Sequence, residues 1–235
     1  DTEFQISFNK NKLKSLSGTS AASIVGYGQW SDVVSVSEVG KSLYNFYGYV
    51  TDGVYESLED IETSAKPAKY PADGKFNRYN TVWVGDIKYK DLNGDGVIDE
   101  NDRTNIGSPM PKYTFGWNNT FRYKNFDLNV FINGSVGNKV MNYLSIKLTH
   151  MNSAWTNQLT TVNDRAQLVP IDPNKDYSGG VNVFGNTVYN WYDDITNVKV
   201  ANSGASIPRV SINDPNDNDR ISDRYIEDGS YVRLK

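Results

Sequence analysis

Between positions 112 and 123 the chain reads K-Y-T-F-G-W-N-N-T-F-R-Y. Tyr113, Phe115, Trp117, Asn119, Phe121 and Tyr123 fall on odd positions, and Lys112, Thr114, Gly116, Asn118, Thr120 and Arg122 on even ones. One face is aromatic and the other polar or small. A period of two belongs to a β-strand, because a helix returns a side chain to the same face only every three or four residues. Lys124-Asn125 interrupts the pattern, and Asn tolerates the positive φ that a two-residue hairpin turn needs. The next run puts Phe126, Leu128, Val130, Ile132 and Val136 on one face. Asp127, Asn129, Asn133 and Ser135 take the other, where Phe131 breaks the pattern. The two runs predict one antiparallel hairpin with long arms.

The length of the arms bears on the solvent. Strands in soluble sheets average about 5–6 residues. These arms run to roughly 11, which at ~3.3 Å per residue is about 36 Å. Tilted by ~45°, that projects to about 25 Å, the height of the apolar band on a transmembrane barrel. Tyr113 and Tyr123 stand at the two ends, where an amphipathic ring suits a water–lipid boundary. The alternative is a long hairpin in a soluble sandwich with its aromatic face inside.

Weaker alternation occurs elsewhere. Phe4, Ile6 and Phe8 oppose Gln5, Ser7 and Asn9, and Ser230-Tyr231-Val232-Arg233-Leu234-Lys235 begins another strand. A stretch rich in Tyr and Gly places Tyr47, Tyr49 and Tyr55 on one parity and Phe46, Val50 and Val54 on the other. Strand patterns cut at both termini would leave unpaired edges, so a piece of something longer is expected. Residues 56–80 are loop-like, with Lys66-Pro67, Tyr70-Pro71 and Asp73-Gly74. Residues 138–229 are polar and punctuated by Asp172-Pro173-Asn174, Gly179-Gly180 and Asp214-Pro215-Asn216-Asp217-Asn218-Asp219, all turn signals. So long a structureless loop does not suit a compact soluble domain. Outer-membrane barrels do carry short turns on one side and long loops on the other, and 138–229 is expected to be such a loop with structure of its own.

Composition narrows the function classes. The 235 residues are 13% aromatic, too aromatic for a disordered chain, and their net charge of -4 argues against a nucleic-acid partner. Zero Cys removes disulfides, thiol catalysis and Cys-ligated zinc, and the single His150 leaves little for His-based acid–base chemistry. No run approaches the ~20 apolar residues of a transmembrane helix, and no signal peptide opens the chain.

One segment has metal-ligand spacing. From 91 to 102 the chain reads D-L-N-G-D-G-V-I-D-E-N-D. Oxygen donors occupy positions 1, 3, 5, 9 and 12, namely Asp91, Asn93, Asp95, Asp99 and Asp102. Gly96 holds the sharp turn at position 6, and Val97 offers its carbonyl from position 7. Ca²⁺ takes 6–8 oxygens, which a short acidic loop can wrap. The last position is Asp rather than Glu, as in dockerin-type loops. The flanking segment 82–90 reads as extended and Pro109 and Pro111 follow, so a structural Ca²⁺ is expected rather than a helix-flanked sensor. The other reading is an Asn/Asp/Gly turn without metal.

Gly85-Asp86-Ile87-Lys88-Tyr89-Lys90-Asp91-Leu92-Asn93-Gly94-Asp95-Gly96, followed by Asp102-Arg103, Ile106-Gly107 and Pro111, resembles the SusC/RagA family of TonB-dependent outer-membrane transporters. The hairpin continues the resemblance with Gly116, Asn118-Asn119, Tyr123, Phe126-Asp127-Leu128, Gly134-Ser135 and Gly137-Asn138. So do Val39-Gly40-Lys41-Ser42, Phe46-Tyr47-Gly48-Tyr49 and Asp52-Gly53 upstream, and the tail from Ser222-Asp223-Arg224-Tyr225 through Gly229-Ser230-Tyr231-Val232-Arg233-Leu234. Residues 141–220 lie outside the resemblance. It implies an all-β fold, a late portion of a transmembrane antiparallel barrel that has 22 strands and a plug in the family, with the plug outside this chain. It also implies a SusD-like lipoprotein lid, energy from the TonB complex, oligosaccharide or peptide cargo, and a Gram-negative, Bacteroidetes-like outer membrane with its lipid as solvent.

Two functional readings follow. The first is a barrel segment of such an importer, with loop contacts to ligand or lid. The second is a soluble β-rich glycan-binding module braced by Ca²⁺. In either, Trp155, Tyr189, Trp191 and Tyr192 are candidates to stack on sugar rings, against a plain role in loop packing. Enzyme chemistry is not expected. Asp193-Asp194 would point to opposite faces of a strand and so do not form a paired-carboxylate site. His150 reads as a solvated or hydrogen-bonded loop residue.

Overall fold

The structure, a computed structural model, describes residues 1–16, 23–28, 31–152 and 155–235. They form two compact units. The first comprises Asp1–Gly48, Asn105–Asn142 and Tyr225–Lys235; the second comprises Tyr49–Thr104 and Tyr143–Arg224.

In the first unit the expected hairpin is present. Strand β1 (Thr2–Phe8), β2 (Tyr113–Tyr123), β3 (Phe126–Val136) and β4 (Tyr231–Leu234) form an antiparallel sheet in that order. Both hairpin arms are 11 residues long. The turn puts its positive φ on Lys124 (53°) rather than on Asn125, so the residue expected to carry the turn conformation is the neighbour of the one that does. A second sheet runs Ser23–Tyr27, Val33–Glu38, Asn45–Gly48 and Thr104–Gly107 in order, and Lys139–Met141 pairs with Ile226–Asp228.

The register explains the interruption at Phe131. That residue lies opposite Asn118 on the polar face, and its ring comes within 3.6 Å of the place a Cβ on Gly116 would occupy. A large ring thus covers the gap left by a missing side chain. Gly134 shows the converse: a Cβ there would sit 2.5 Å from the Phe115 ring and 2.8 Å from the Tyr231 carbonyl, so only glycine lets the ring lie across the strand.

The second unit has its own hydrophobic core, built around Tyr55, Ile61, Trp83, Val84, Ile87, Ile98, Ile195 and Val198. Short strand pairs and helical turns wrap it: Thr51–Val54 with Ile87–Tyr89, Lys66–Pro67 with Val97–Ile98, and Leu168–Pro170 with Val198–Val200. Residues 56–80, expected as loop, include the helix Leu58–Thr63. Ser57 caps it by accepting from Asp60 N, Glu59 and Asp60 favour its first turn, and Ile61 is its one fully buried residue. Six residues with one fully buried side chain, and Leu58 packed at the margin of the core, are too few to show a helical period. The helix Tyr143–Thr149 and the strands at Leu168–Pro170 and Val198–Val200 lie within 138–229.

A polar spine runs through this core. Asn218 Oδ1 accepts from Ile87 N (2.7 Å), its Nδ2 donates to Asp86 (3.2 Å) and to Asp214, and its own N–H reaches Asp214 Oδ2 (2.8 Å). Asn216 Nδ2 donates to the Ile87 carbonyl at 2.9 Å. Asp86, wholly buried, also accepts from Trp83 N (2.8 Å) and pairs with Arg209 Nε at 2.8 Å. Gly85, at φ 88°, donates to the Tyr55 carbonyl and accepts from Arg209 N, 2.7 Å each, and a Cβ on it would lie 3.0 Å from that of Arg209. The run 214–219, expected as a turn, is therefore also what joins the core.

Removing one partner of the buried pair should be costly. Arg209→Met is expected to destabilise by about 3–5 kcal/mol, because it leaves the wholly buried Asp86 carboxyl without its counter-ion. The Asp86→Leu/Arg209→Met double variant should recover only part, since Trp83 N loses its acceptor and Asn218 Nδ2 keeps only Asp214. Urea unfolding of the two variants measures both.

Candidate functional site

The outward chemistry of the first unit is set by register. On one face stand Phe4, Ile6 and Phe8 of β1, opposite Trp117, Phe115 and Tyr113 of β2. Those pair in turn with Ile132, Gly134 and Val136 of β3, while Phe121 faces Leu128 and Tyr123 faces Phe126. Val232 and Leu234 of β4 extend the same face. Its apolar groups are not covered: Trp117 is 42% exposed, Phe121 59% and Phe126 79%. Asn119 interrupts it and takes a hydrogen bond from Thr2 Oγ1 at 2.6 Å. The opposite face carries Glu3, Gln5, Asn118, Arg122, Asp127, Asn129, Asn133 and Arg233. Tyr113 packs near Phe8 and Phe115 at one end, ring centroids 5.8 and 6.5 Å away, and Tyr123 stands at the other. A continuous apolar face of this size, left outside, marks an interaction surface, with a membrane or with further protein. Among the described residues no helix is long and apolar enough to cross a membrane, which says nothing of strands.

The acidic loop holds itself together through the main chain. Asp91 accepts from Gly94 N (2.6 Å) and Gly96 N (2.8 Å), Asn93 from Asp95 N, and Asp95 from Val97 N. The Gly96 N–H holds the Asp91 carboxyl below the usual carboxylate range. Asp99 and Asp102 make a capping box around the short turn Glu100–Asp102. Asp102 is fully buried and spends one oxygen on Leu92 N (2.9 Å) and the other on Asp99 N (2.8 Å), closing the loop end to end. Asn93 and Asp95 are exposed and Asp91 is half-buried. Their hard oxygens match Ca²⁺ in chemistry, whereas the carboxylates of Asp91, Asp95, Asp99 and Asp102 are not gathered around one point. Among the described residues, the group of three acidic or His ligand atoms that does gather, within 4.8 Å, is His150, Asp214 and Asp219.

That group suits a proton rather than a metal. Asp214 Oδ2 lies 2.7 Å from His150 Nε2, and Asp219 Oδ2 lies 3.2 Å from Nδ1. The two carboxylates grip opposite edges of one ring, while a metal would take one nitrogen. Lys147 Nζ also reaches Asp219, at 3.4 Å. Burial opposes the ring's charge, yet the hydrogen bonds to Asp214 and Asp219 outweigh it and push the His150 pKa up to about 9. His150 thus sits hydrogen-bonded at the end of the polar spine.

The four aromatic residues named as stacking candidates do not converge. Trp155 is 96% exposed and Tyr189 72%. Trp191 packs on the core and meets Tyr192 edge-on at 5.6 Å. The Tyr192 ring faces the Arg78 guanidinium at 4.4 Å. Tyr189 lines a cleft with Asn77, Arg78, Tyr79, Asn186 and Asp193. Arg78 and Tyr79 were not singled out in the sequence, where they stand in a loop without periodicity. An Arg-Tyr pair between Asn residues was the signal available.

No family model matches the chain. Three proteins of Formosa agariphila are similar to it: TonB-dependent receptor P3 (30% identical, all of this chain and 19% of that protein), P26 (29%, 98% and 19%) and P39 (28%, 59% and 15%). The chain spans about a fifth of the length of these relatives. This similarity supports a segment of a TonB-dependent receptor, and the all-β fold is that expected of part of its barrel.

The His150 contacts make stability depend on pH. Because the folded-state pKa lies above the ordinary 6.5, their contribution is complete below about pH 6.5 and is lost as pH rises through about 9. His150→Gln should remove about 3 kcal/mol at pH 6 and flatten the pH dependence between 6.5 and 9. Urea melts at pH 6 and pH 9.5 would show both.

Proposed function

We propose that the chain is a barrel segment of a SusC/RagA-type TonB-dependent importer in the outer membrane of a Gram-negative, Bacteroidetes-like cell. The importer takes up oligosaccharides or peptides together with a SusD-like surface lipoprotein. The observation that carries this reading is the uncovered apolar face of the sheet, with tyrosines at both ends of an 11-residue arm. The sequence blocks quoted above add the SusC/RagA character, and the names of the relatives add TonB dependence. In this reading the hairpin is wall: its apolar side meets lipid and its polar side, with Glu3, Asn118 and Asn133, meets the lumen. Residues 138–229 are the extracellular loop region that meets ligand or lid. Cargo is held under the lid and released inward when the TonB complex acts through the rest of the protein. No bond is made or broken by this chain.

Substitutions on the two faces separate this from a water-soluble sheet. Trp117→Arg should cost ~2–4 kcal/mol of stability in vesicles, as for a cation near the midplane of a barrel's lipid face, and Asn118→Arg close to nothing. Equal costs, or a protein that stays monodisperse without detergent, would sink the importer reading. Co-purification with a SusD-like surface lipoprotein tests the lid, and its absence from the purified protein would remove that partner.

The acidic loop is proposed to take a structural Ca²⁺ through Asp91, Asn93, Asp95, the Val97 carbonyl and Asp99, with Asp102 as the buried clasp. The spacing of the donors supports this. Millimolar Ca²⁺ should raise the melting temperature over EDTA, following the usual dependence on ligand concentration, and Asp91→Asn/Asp95→Asn should abolish the rise. An identical melt in EDTA and Ca²⁺ refutes the site.

A further inference from the structure

The cleft beside Tyr189 has a lining that selects a class of ligand. Its volume is about 470 Å³, inside the ~300–1,000 Å³ range of small-molecule sites. Tyr79 and Tyr189 reach it from different parts of the chain, and both leave much of their rings in water. The charges at the cleft cancel. Arg78 Nε pairs with Asp193 Oδ1 at 2.8 Å, and the guanidinium lies 4.4 Å from both the Tyr79 and Tyr192 ring centroids. A guanidinium so matched does not call for a carboxylate or phosphate. What is left is aromatic surface, side-chain amides and a fixed ion pair whose edges can still hydrogen-bond.

Both walls are also held in place. Asn77 Oδ1 accepts from Tyr79 N (2.9 Å), and Thr81 Oγ1 accepts from Asn77 N (2.9 Å). Across the cleft, Asn182 Oδ1 accepts from Asn186 N (3.1 Å), and Asn186 Nδ2 donates to the Phe76 carbonyl (3.3 Å), which ties one wall to the other. Phe76 itself is in the core. The surface is therefore formed before a ligand arrives, which lowers the cost of binding.

We infer that this cleft takes a neutral sugar unit of an oligosaccharide, its C–H face stacked on Tyr189 or Tyr79 and its hydroxyls on Asn77, Asn186 and the Arg78–Asp193 pair. A pyranose is apolar on its faces and polar around its rim, and so is this lining in reverse. The cleft offers neither the apolar groove nor the unmatched charge by which a peptide side chain would be selected. The inference deepens the importer reading and rests on it for the ligand's route.

Titration calorimetry of the intact protein in detergent decides it, with neutral gluco-, manno-, xylo- and galacto-hexaoses, an oligouronate and an uncharged hexapeptide as probes. At least one neutral hexaose should bind. Tyr189→Ala and Tyr79→Ala should each weaken it about tenfold with the melting temperature unchanged, and Tyr189→Phe should bind like the parent. Asp193→Asn, which leaves Arg78 unmatched, should shift preference toward the oligouronate. Binding of none of the neutral hexaoses overturns the inference. So does tighter binding of the oligouronate or the hexapeptide by the unaltered protein, or indifference to both alanine variants. Any of these results leaves the importer reading standing, because that reading rests on the lipid face. A protein at ease in water without detergent would remove the importer while the titration still decides the cleft.

Discussion

Every residue of a strand is committed to one face, so a sheet with one apolar and one polar face must alternate without slipping. This constraint organises the first unit. Eleven cross-strand pairs join β2 to β3 in unbroken register. A slip of one residue would carry the polar set of one arm, with Arg122 or Asp127, to the aromatic side. The left-handed Lys124 helps set that register, because a two-residue turn leaves no slack. Departures from alternation are accommodated locally: Phe131 covers Gly116, Gly134 yields to Phe115, and Asn119 takes a hydrogen bond from Thr2. The pattern can then be polar on one side and apolar on the other along the whole arm.

The second unit meets a different constraint. Its chain is rich in Asn, Asp, Ser and Gly, and a compact core must be assembled from few apolar residues. It does so by burying polar groups that satisfy one another. Asn218 alone serves Ile87 N, Asp86 and Asp214, and Asp86 links that set to Trp83 and Arg209. Buried polar groups are tolerated when their bonds are made and costly when they are not. The spine therefore specifies the packing of segments far apart in sequence in a way that interchangeable aliphatic contacts would not.

The difference between the units explains what was legible. Period two is visible residue by residue, so β1, both hairpin arms and β4 could be read from the chain, with faces and ends. A polar core has no period. Asp214 to Asp219 looks like any Asn/Asp/Pro turn, and only the fold reveals that its carboxylate and amide groups point inward. The helix at Leu58–Thr63 was hidden by its shortness. The spacing of Asp91, Asn93, Asp95, Asp99 and Asp102 was legible, but not the capping box that gives two of those acids a second occupation. Of the aromatic candidates, Tyr189 lines a cleft, Tyr192 backs its Arg78, Trp191 supports the core and Trp155 stands exposed. Residue type could not separate those roles, because stacking platform and core filler ask for the same rings.

Three aspartates show how context rather than identity assigns the chemistry of this chain. Asp91 is half-buried and turned toward main-chain N–H groups, Asp214 is buried against an imidazole, and Asp193 neutralises a stacked guanidinium. The last case matters most for recognition. An unmatched Arg78 would draw any anion near it, and selectivity would be lost to charge. With Asp193 in place the long-range field is cancelled, and discrimination passes to shape and hydrogen bonding, which act only at contact. Such discrimination needs walls that do not move. A polar stretch of this length without a core would present the same residues in many arrangements and lose affinity to ordering. The polar spine gives the loop region a core, and the core holds Phe76, from whose carbonyl Asn186 hangs.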